Sequence, residues 1–468
     1  MKKQKILLIS PNLNGVENGL NRIQPSLGLM LVAASLENAG HIVKIHDTAL
    51  EGWNTHKKIS SRGLIQIGQS DEEISNLIKD FSPSVLGISV LFSNLMDSAH
   101  NIFKLAKKVN NKIVTIIGGN HVSNAVKDYE YNLIAKLPQL SDTINELEDK
   151  NIDYAVIGES DHAFLKIIEN LGEKKSISEL PGVVERAGEK KFTINHPERI
   201  NDISNLHAPA RHLVNMEGYF DIGAFHSAKS KSKRVLSVMC SRGCPEKCTF
   251  CTTPQMWGSK VRWRSIDNII NEIENGIKNY NIGEIQFEDD TLTANKKRLL
   301  ELCSRLEKFG LPWCTPNGVK VNYHLAGQTD MFKAMNDSGC YQITLACESG
   351  VQRVLDNIIN KRLNVEQIKP AIENAKKCGM LVHTFWILGY PGETYEEINK
   401  TIEFAMNSGA DSFSFAILSP LPGTPIYRDV LKRNLWWDSN TSLKDILFRS
   451  SLIKVDGFNN SDEFEKFV

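Results

Sequence analysis

No apolar run in this sequence approaches the roughly 20 residues of a membrane span, so no membrane contact is expected. The charge surplus of a nucleic-acid binder is missing too: 55 Lys and Arg face 55 Asp and Glu, a formal net charge of zero. Met1-Lys2-Lys3 precedes the apolar stretch KILLIS, but that stretch stops at Pro11, too short for the core of a secretion signal. Nor does G-x-G-x-x-G follow this first strand, which disfavours a nicotinamide site. These absences predict a cytoplasmic protein that binds neither membrane nor nucleic acid. In that compartment stable disulfides are rare, and clustered cysteines point to metal or catalysis.

What is present reads as two βα series. At 468 residues the chain implies two or three domains. KILLIS (5–10), IVKIH (42–46), VLGISVLF (85–92), IVTII (113–117) and YAVI (154–157) are buried strands separated by helical patterns. Residues 1–175 therefore predict a doubly wound parallel sheet, Rossmann-like in its winding. Such sheets bind ligands outside the carboxyl ends of their strands. Those ends carry Leu27-Gly28, Asp47, Phe92-Ser93, Gly118-Gly119-Asn120 and Gly158-Glu159, small and turn-forming residues that permit close backbone approach. Periodicity fades over 176–232, read as a connector. From 233 to 430 the βα pattern resumes with RVLSVMC, EIQF, QITLA, LVHTFWIL and FSFAIL, about six units of an incomplete TIM-like barrel. Ser265 is placed as the cap of a helix with an isoleucine stripe, and Thr394 with Glu397 as a capping box. Residues 431–468 form an extension without a clear repeat.

CSRGCPEKCTFC (240–251) packs four of the nine cysteines into one stretch after a predicted strand. Cys244, Cys248 and Cys251 have the spacing C-x3-C-x2-C, which can ligate an iron–sulfur cluster or zinc. Structural zinc wants four ligands, and no histidine occurs between Cys251 and His324. Cys240 lies back on the strand, pointing away from the loop. Three thiolates on a four-iron cluster leave one iron open for a substrate or cofactor. The spacing and context favour the cluster, with three cysteines as ligands and Cys240 as a small apolar residue.

With Phe250 before the last cysteine, this motif resembles the radical S-adenosylmethionine superfamily. The resemblance implies a [4Fe-4S] cluster whose open iron chelates S-adenosyl-L-methionine (SAM), and a 5′-deoxyadenosyl radical formed from it. It also implies SAM contacts from Phe250 in the cysteine motif and from the strand ends: Glu288-Asp289-Asp290 at the amine, in place of the usual Gly-Gly-Glu; Glu348 and Ser349 near the ribose; Gly389 near the adenine. The stretches PSLGLMLVAASLENAGHIVKIHD, VLGIS, TIIGGNH and DYAVIGESD resemble the cobalamin-binding domain of one branch of the superfamily. That implies cobalamin contacts from Leu27, Gly28, Asp47, Phe92, Ser93, Gly118, Gly119, Asn120, Gly158 and Glu159. The D-x-H-x-x-G motif is absent, so cobalt is expected to carry no protein histidine, and His121 is read as a loop residue.

SDEEISNLIKDFSPSVLGISVLFSN, FCTTPQMWGSKVRWRS, GLPWCTPNG and YQITLACESGVQRVLD resemble the fosfomycin-pathway C-methyltransferase group. The implied function is cobalamin-dependent radical methylation of an unactivated sp3 carbon through methylcobalamin. The implied substrate is a small phosphonate or its nucleotide-linked form, and the implied partner a one-electron reductant such as flavodoxin or ferredoxin. Lys260, Arg262, Arg264 and Lys320 are the basic residues expected to meet the phosphonate. A cobalamin-dependent radical cyclase or ring-rearranging enzyme, a methylthiotransferase, and a non-enzymatic zinc-binding interaction protein are the alternatives.

Overall fold

The computed structural model describes residues 3–59, 64–136, 143–227, 229–438, 443, 446 and 450–468. The chain divides into two units, Met1–Asn201 with Asn205–Ala224, and Asp202–Ser204 with Phe225–Val468.

In the first unit the five apolar runs become parallel strands: β1 (Lys5–Ser10), β3 (Ile42–Asp47), β6 (Val85–Ser89), β7 (Val114–Gly118) and β8 (Tyr154–Val156). Strand β1 pairs with both β3 and β6, and β6, β7 and β8 follow in order. The polarity of the winding therefore reverses at β1, and the crevice between the β1 and β6 ends is where such sheets take ligands. Apolar faces on both sides of the sheet bury two clusters, one around Leu7, Ile88 and Phe103 and one around Ile6, Leu8 and Met30. Strands β2 (Leu13–Val16), β4 (His56–Lys58) and β5 (Leu64–Ile67) form a separate antiparallel sheet. The stretch read as a connector contributes β9 (Val183–Gly188) and β10 (Lys191–Ile194), an antiparallel hairpin that extends the sheet beyond β8.

The second unit is a six-stranded parallel sheet with β11 (Val235–Val238) and β18 (Ser412–Ile417) at its edges. Between them, in order, lie β14 (Glu284–Phe287), β15 (Trp313–Lys320), β16 (Cys340–Glu348) and β17 (Leu381–Leu388), a partial barrel. A two-stranded hairpin, β12 (Ser241–Arg242) with β13 (Arg262–Trp263), brackets the cysteine loop. The Ser265 hydroxyl caps helix Ile266–Tyr280, and the Thr394–Glu397 capping box opens helix Tyr395–Met406. The extension contributes helix Ser461–Phe467, whose Phe464 is buried with Leu388, Ile398, Ile417 and Val455. Among the described residues, no helix is long and apolar enough to cross a membrane.

Candidate active site

The cysteine loop is fastened at several points. Gly243 has φ of 108°, and a Cβ there would lie 2.4 Å from the carbonyl oxygen of Lys260, so only glycine permits this approach to the hairpin. Thr249 donates through its amide and hydroxyl to the carbonyls of Ile359 and Ile358 (2.9 and 2.7 Å). Lys320 Nζ lies 2.7 Å from Glu246 Oε2, and the Tyr323 hydroxyl donates to Glu246 Oε1 at 3.0 Å.

Cys244, Cys248 and Cys251 are free thiols whose charges act on one another. Burial pushes Cys244 up to about 12 and Cys248 up to about 11, and raises Cys251 as well. Ligation as thiolates would release those protons. Among the described residues, no three His, Cys, Asp or Glu side chains form a ready-made metal site. What fits an iron–sulfur cluster is the donor set: three half-buried thiols on one loop, with the buried ammonium of Lys361 favouring the ionised form of Cys248 and Cys251. Cys240 is different. It is 1% exposed, its amide donates to both carboxylate oxygens of Asp289 (3.1 and 3.0 Å), and its carbonyl accepts from the Arg264 amide.

The three carboxylates after β14 diverge. Asp289 is spent on the backbone of Cys240 and the hydroxyl of Ser241, and burial raises it to about 6. Asp290 accepts from the Thr253 hydroxyl at 3.0 Å, and its charge acts on Cys244 and Cys251. Glu288 Oε2 accepts from His226 Nδ1 at 2.8 Å. The neighbouring helix Lys296–Leu306 is capped by Asn295. Asp289→Asn is accordingly expected to lower stability by about 1–3 kcal/mol, since a buried hydrogen-bond acceptor is replaced by an amide nitrogen. Asp290→Asn is expected to melt normally and bind SAM more weakly. Thermal melts and anaerobic SAM titrations of the two variants check this, and swapped phenotypes would reverse the assignment.

Glu348 ends β16 with φ of 68°, a left-handed conformation uncommon outside glycine. Its Oε1 pairs with Lys361 Nζ at 2.7 Å, both side chains 8% exposed. The Ser349 hydroxyl lies 3.1 Å from that of Thr401. Gly389 follows β17 with φ of 83°, and a Cβ there would come 2.7 Å from the Phe464 ring. Its amide donates to Glu393, a buried carboxylate that burial raises to about 7. Phe250 meets the Tyr390 ring at 6.1 Å. Lys361 and His226 were not singled out by sequence.

Of the basic residues, Lys260 is exposed, and Arg262 Nη2 donates to the Trp257 carbonyl at 2.9 Å. Arg264 Nη1 pairs with Glu272 at 2.6 Å, while Lys320 holds Glu246. Three of the four thus serve the local architecture around the loop.

In the first unit the strand ends form the expected edge. Gly28 opens helix Leu27–Asn38 with no atom within 4 Å of a notional Cβ, an open approach. Gly119 has φ of 108° and lies so close to Val90 that a Cβ would sit 2.4 Å from its carbonyl oxygen. Gly158 likewise leaves no room beside Pro197. Phe92 is exposed, Asn120 accepts from Asn124 Nδ2 at 3.1 Å, and Glu159 is buried. Asp47 is turned to structure: it caps helix Thr48–Glu51 and receives the Tyr219 hydroxyl at 2.6 Å, burial raising its carboxyl. His121, expected in a loop, is the second residue of helix Asn120–Ile134. The helix starts there because Gly119 makes the turn. Ser93 Oγ and Glu146 Oε2 occupy its two nitrogens at 2.9 and 2.7 Å. The cobalt(II) form is therefore expected to show no histidine-nitrogen superhyperfine splitting by electron paramagnetic resonance, and such splitting would overturn the reading.

With this geometry in view, residues 238–405 match the radical SAM superfamily, and residues 20–135 match the B12 binding domain. Cytidylyl-2-hydroxyethylphosphonate methyltransferase of Streptomyces wedmorensis is 33% identical over 99% of this chain and 88% of that protein. An uncharacterized methyltransferase of Pyrococcus horikoshii is 29% identical over 96% of this chain and 88% of that protein. Among solved structures, the methyltransferase TsrM of Kitasatospora setae with cobalamin and a [4Fe-4S] cluster shares the fold, with a TM-score of 0.68 at 14% identity. That likeness covers 92% of this chain and 78% of TsrM.

Proposed function

Because the chain belongs to the radical SAM enzymes that carry a B12-binding domain, we propose that it methylates an unactivated sp3 carbon of a cytidylyl-linked phosphonate. It is a cobalamin-dependent methyltransferase that uses a [4Fe-4S] cluster, SAM and cobalamin. An sp3 carbon without lone pair or acidic proton cannot attack SAM directly, and these groups together supply hydrogen abstraction and methyl donation.

The chain's own residues bind and orient. Cys244, Cys248 and Cys251 are the cluster ligands, and Asp290, beside two of them, is the acceptor for the ammonium of SAM. Glu348 and Ser349 fit the ribose end, while Phe250 and Gly389 fit the adenine end. In the first unit, the open Gly28 edge, the Gly118–Gly119 turn and exposed Phe92 suit one face of a corrin. Asp47 and Ser93 shape that edge from behind through Tyr219 and His121. A one-electron donor of the flavodoxin or ferredoxin type completes the system. Nine unpaired cysteines suit the reducing cytoplasm.

The observation that carries the substrate reading is the 33% identity to the phosphonate methyltransferase across 99% of the chain. Reconstituted enzyme incubated with methyl-labelled SAM and cytidylyl-2-hydroxyethylphosphonate is expected to yield a product one labelled methyl heavier by mass analysis. An unlabelled, cyclised or rearranged product would replace methylation with the cyclase alternative.

A further inference from the structure

Strand β14 and Glu288, the residue that follows it, carry three acidic or amide side chains in alternation. Leu236 of β11 faces helix Ile266–Tyr280, where a Cβ on Gly276 would meet it at 2.9 Å. Leu236 pairs in register with Ile285, so Ile285 and Phe287 share that helix-covered face. Alternation then turns Glu284 and Gln286 to the opposite, concave face. Glu288, the next residue in the alternation, makes its contact with the same segment as they do, and its charge acts on Cys314 of β15.

His226, Ser227, Ser230 and Ser232 lie along this face and satisfy most of the row. Glu284 accepts from the Ser232 amide at 3.0 Å and from the Tyr341 hydroxyl at 2.9 Å. Gln286 accepts from the Ser227 amide at 3.1 Å and donates to Ser230 Oγ at 2.8 Å. Glu288 Oε2 accepts from His226, and its backbone carbonyl accepts from Asn317 Nδ2 at 2.7 Å. Within this row and among the described residues, Glu288 Oε1 is the atom buried without a partner, on a residue 7% exposed. An orphaned buried acceptor is costly, and it sits at the carboxyl end of a barrel strand, where substrates are handled. A carboxylate oxygen accepts and does not donate, so the missing partner is a donor.

We infer that Glu288, held in place by His226, is the acceptor for a hydroxyl group of the substrate. This rests on the proposed substrate class, which carries a hydroxyl. The ammonium of SAM belongs instead with Asp290, whose charge reaches the cluster thiols. Glu288 is thus a specificity-determining residue that distinguishes hydroxylated phosphonates from those lacking the group, because an unpaired acceptor penalises the deoxy compound.

The test titrates reconstituted full-length enzyme anaerobically with cytidylyl-2-hydroxyethylphosphonate and with cytidylyl-ethylphosphonate, which lacks the hydroxyl. The parent is expected to prefer the hydroxylated compound about ten- to hundredfold, the range of one hydrogen bond to a charged group. Glu288→Gln, which keeps a neutral polar group, is expected to shrink that preference, and Glu288→Met to abolish it. Iron content, cobalamin content, melting temperature and SAM affinity should stay at parental values in Glu288→Gln. If the parent binds both compounds equally, or Glu288→Met keeps the preference, the hydroxyl assignment is wrong while the substrate reading stands. If SAM affinity falls instead, Glu288 is an amine contact and the inference is overturned. If the parent binds neither compound, the substrate reading fails and takes the inference with it.

Discussion

Replacing Cys244, Cys248 or Cys251 with alanine is expected to abolish the brown colour of the anaerobically reconstituted protein, its bound iron and all SAM cleavage. Cys240→Ala is expected to leave all three. The two outcomes follow from where the sulfurs sit. The three loop thiols are half-buried and act electrostatically on one another. A three-ligand cluster has no spare donor to replace one that is lost. Cys240 is 1% exposed on the strand side, between the Asp289 carboxylate and the Arg264 backbone, and truncating so small a buried group costs no more than about 1–2 kcal/mol. Iron and sulfide content by chemical assay, with the visible spectrum, decides the matter. Loss of iron in Cys240→Ala would make it a fourth ligand and undo the open-iron reading.

What the sequence made legible tracks how strongly local chemistry and periodicity agreed. LVHTFWIL became β17 without a shift of boundary, and the helix with the isoleucine stripe begins at its Ser265 cap, because burial pattern and cap chemistry pointed the same way. Strand β15 was hidden by Pro316 and Gly318. A proline has no amide to give the ladder, and the register with β16 shifts between Thr315 and Val319 at that point. The hairpin β9–β10 was hidden for another reason: at a sheet margin most of its side chains are exposed or half-exposed, which leaves little apolar pattern to read. The cysteines were legible because their spacing is local. His226 and Glu288 are 62 residues apart, and no pattern announces a pair that only the fold assembles. The same limit applies to Arg264 and Lys320, which sequence offers as free cations and the fold commits to Glu272 and Glu246.

Lys361 carries the second large effect. Its ammonium and the Glu348 carboxylate are both 8% exposed and 2.7 Å apart, beside Cys248 on the cluster loop. Burial alone would pull a lysine below its ordinary value. The nearby Glu348 and Cys248 outweigh it and hold Lys361 above that value, so the cation is the stable form. Removing one partner strands the other charge in a site that water cannot reach. Lys361→Met is therefore expected to cost roughly 3–5 kcal/mol of stability, although methionine fills much the same volume. Glu348→Gln removes the charge that Lys361→Met would strand, so the double variant is expected to recover most of the loss. Denaturant unfolding of the parent, both single variants and the double variant gives the coupling directly. If the double variant is as unstable as Lys361→Met, packing rather than charge holds this corner, and the pair has no electrostatic role beside the cluster loop.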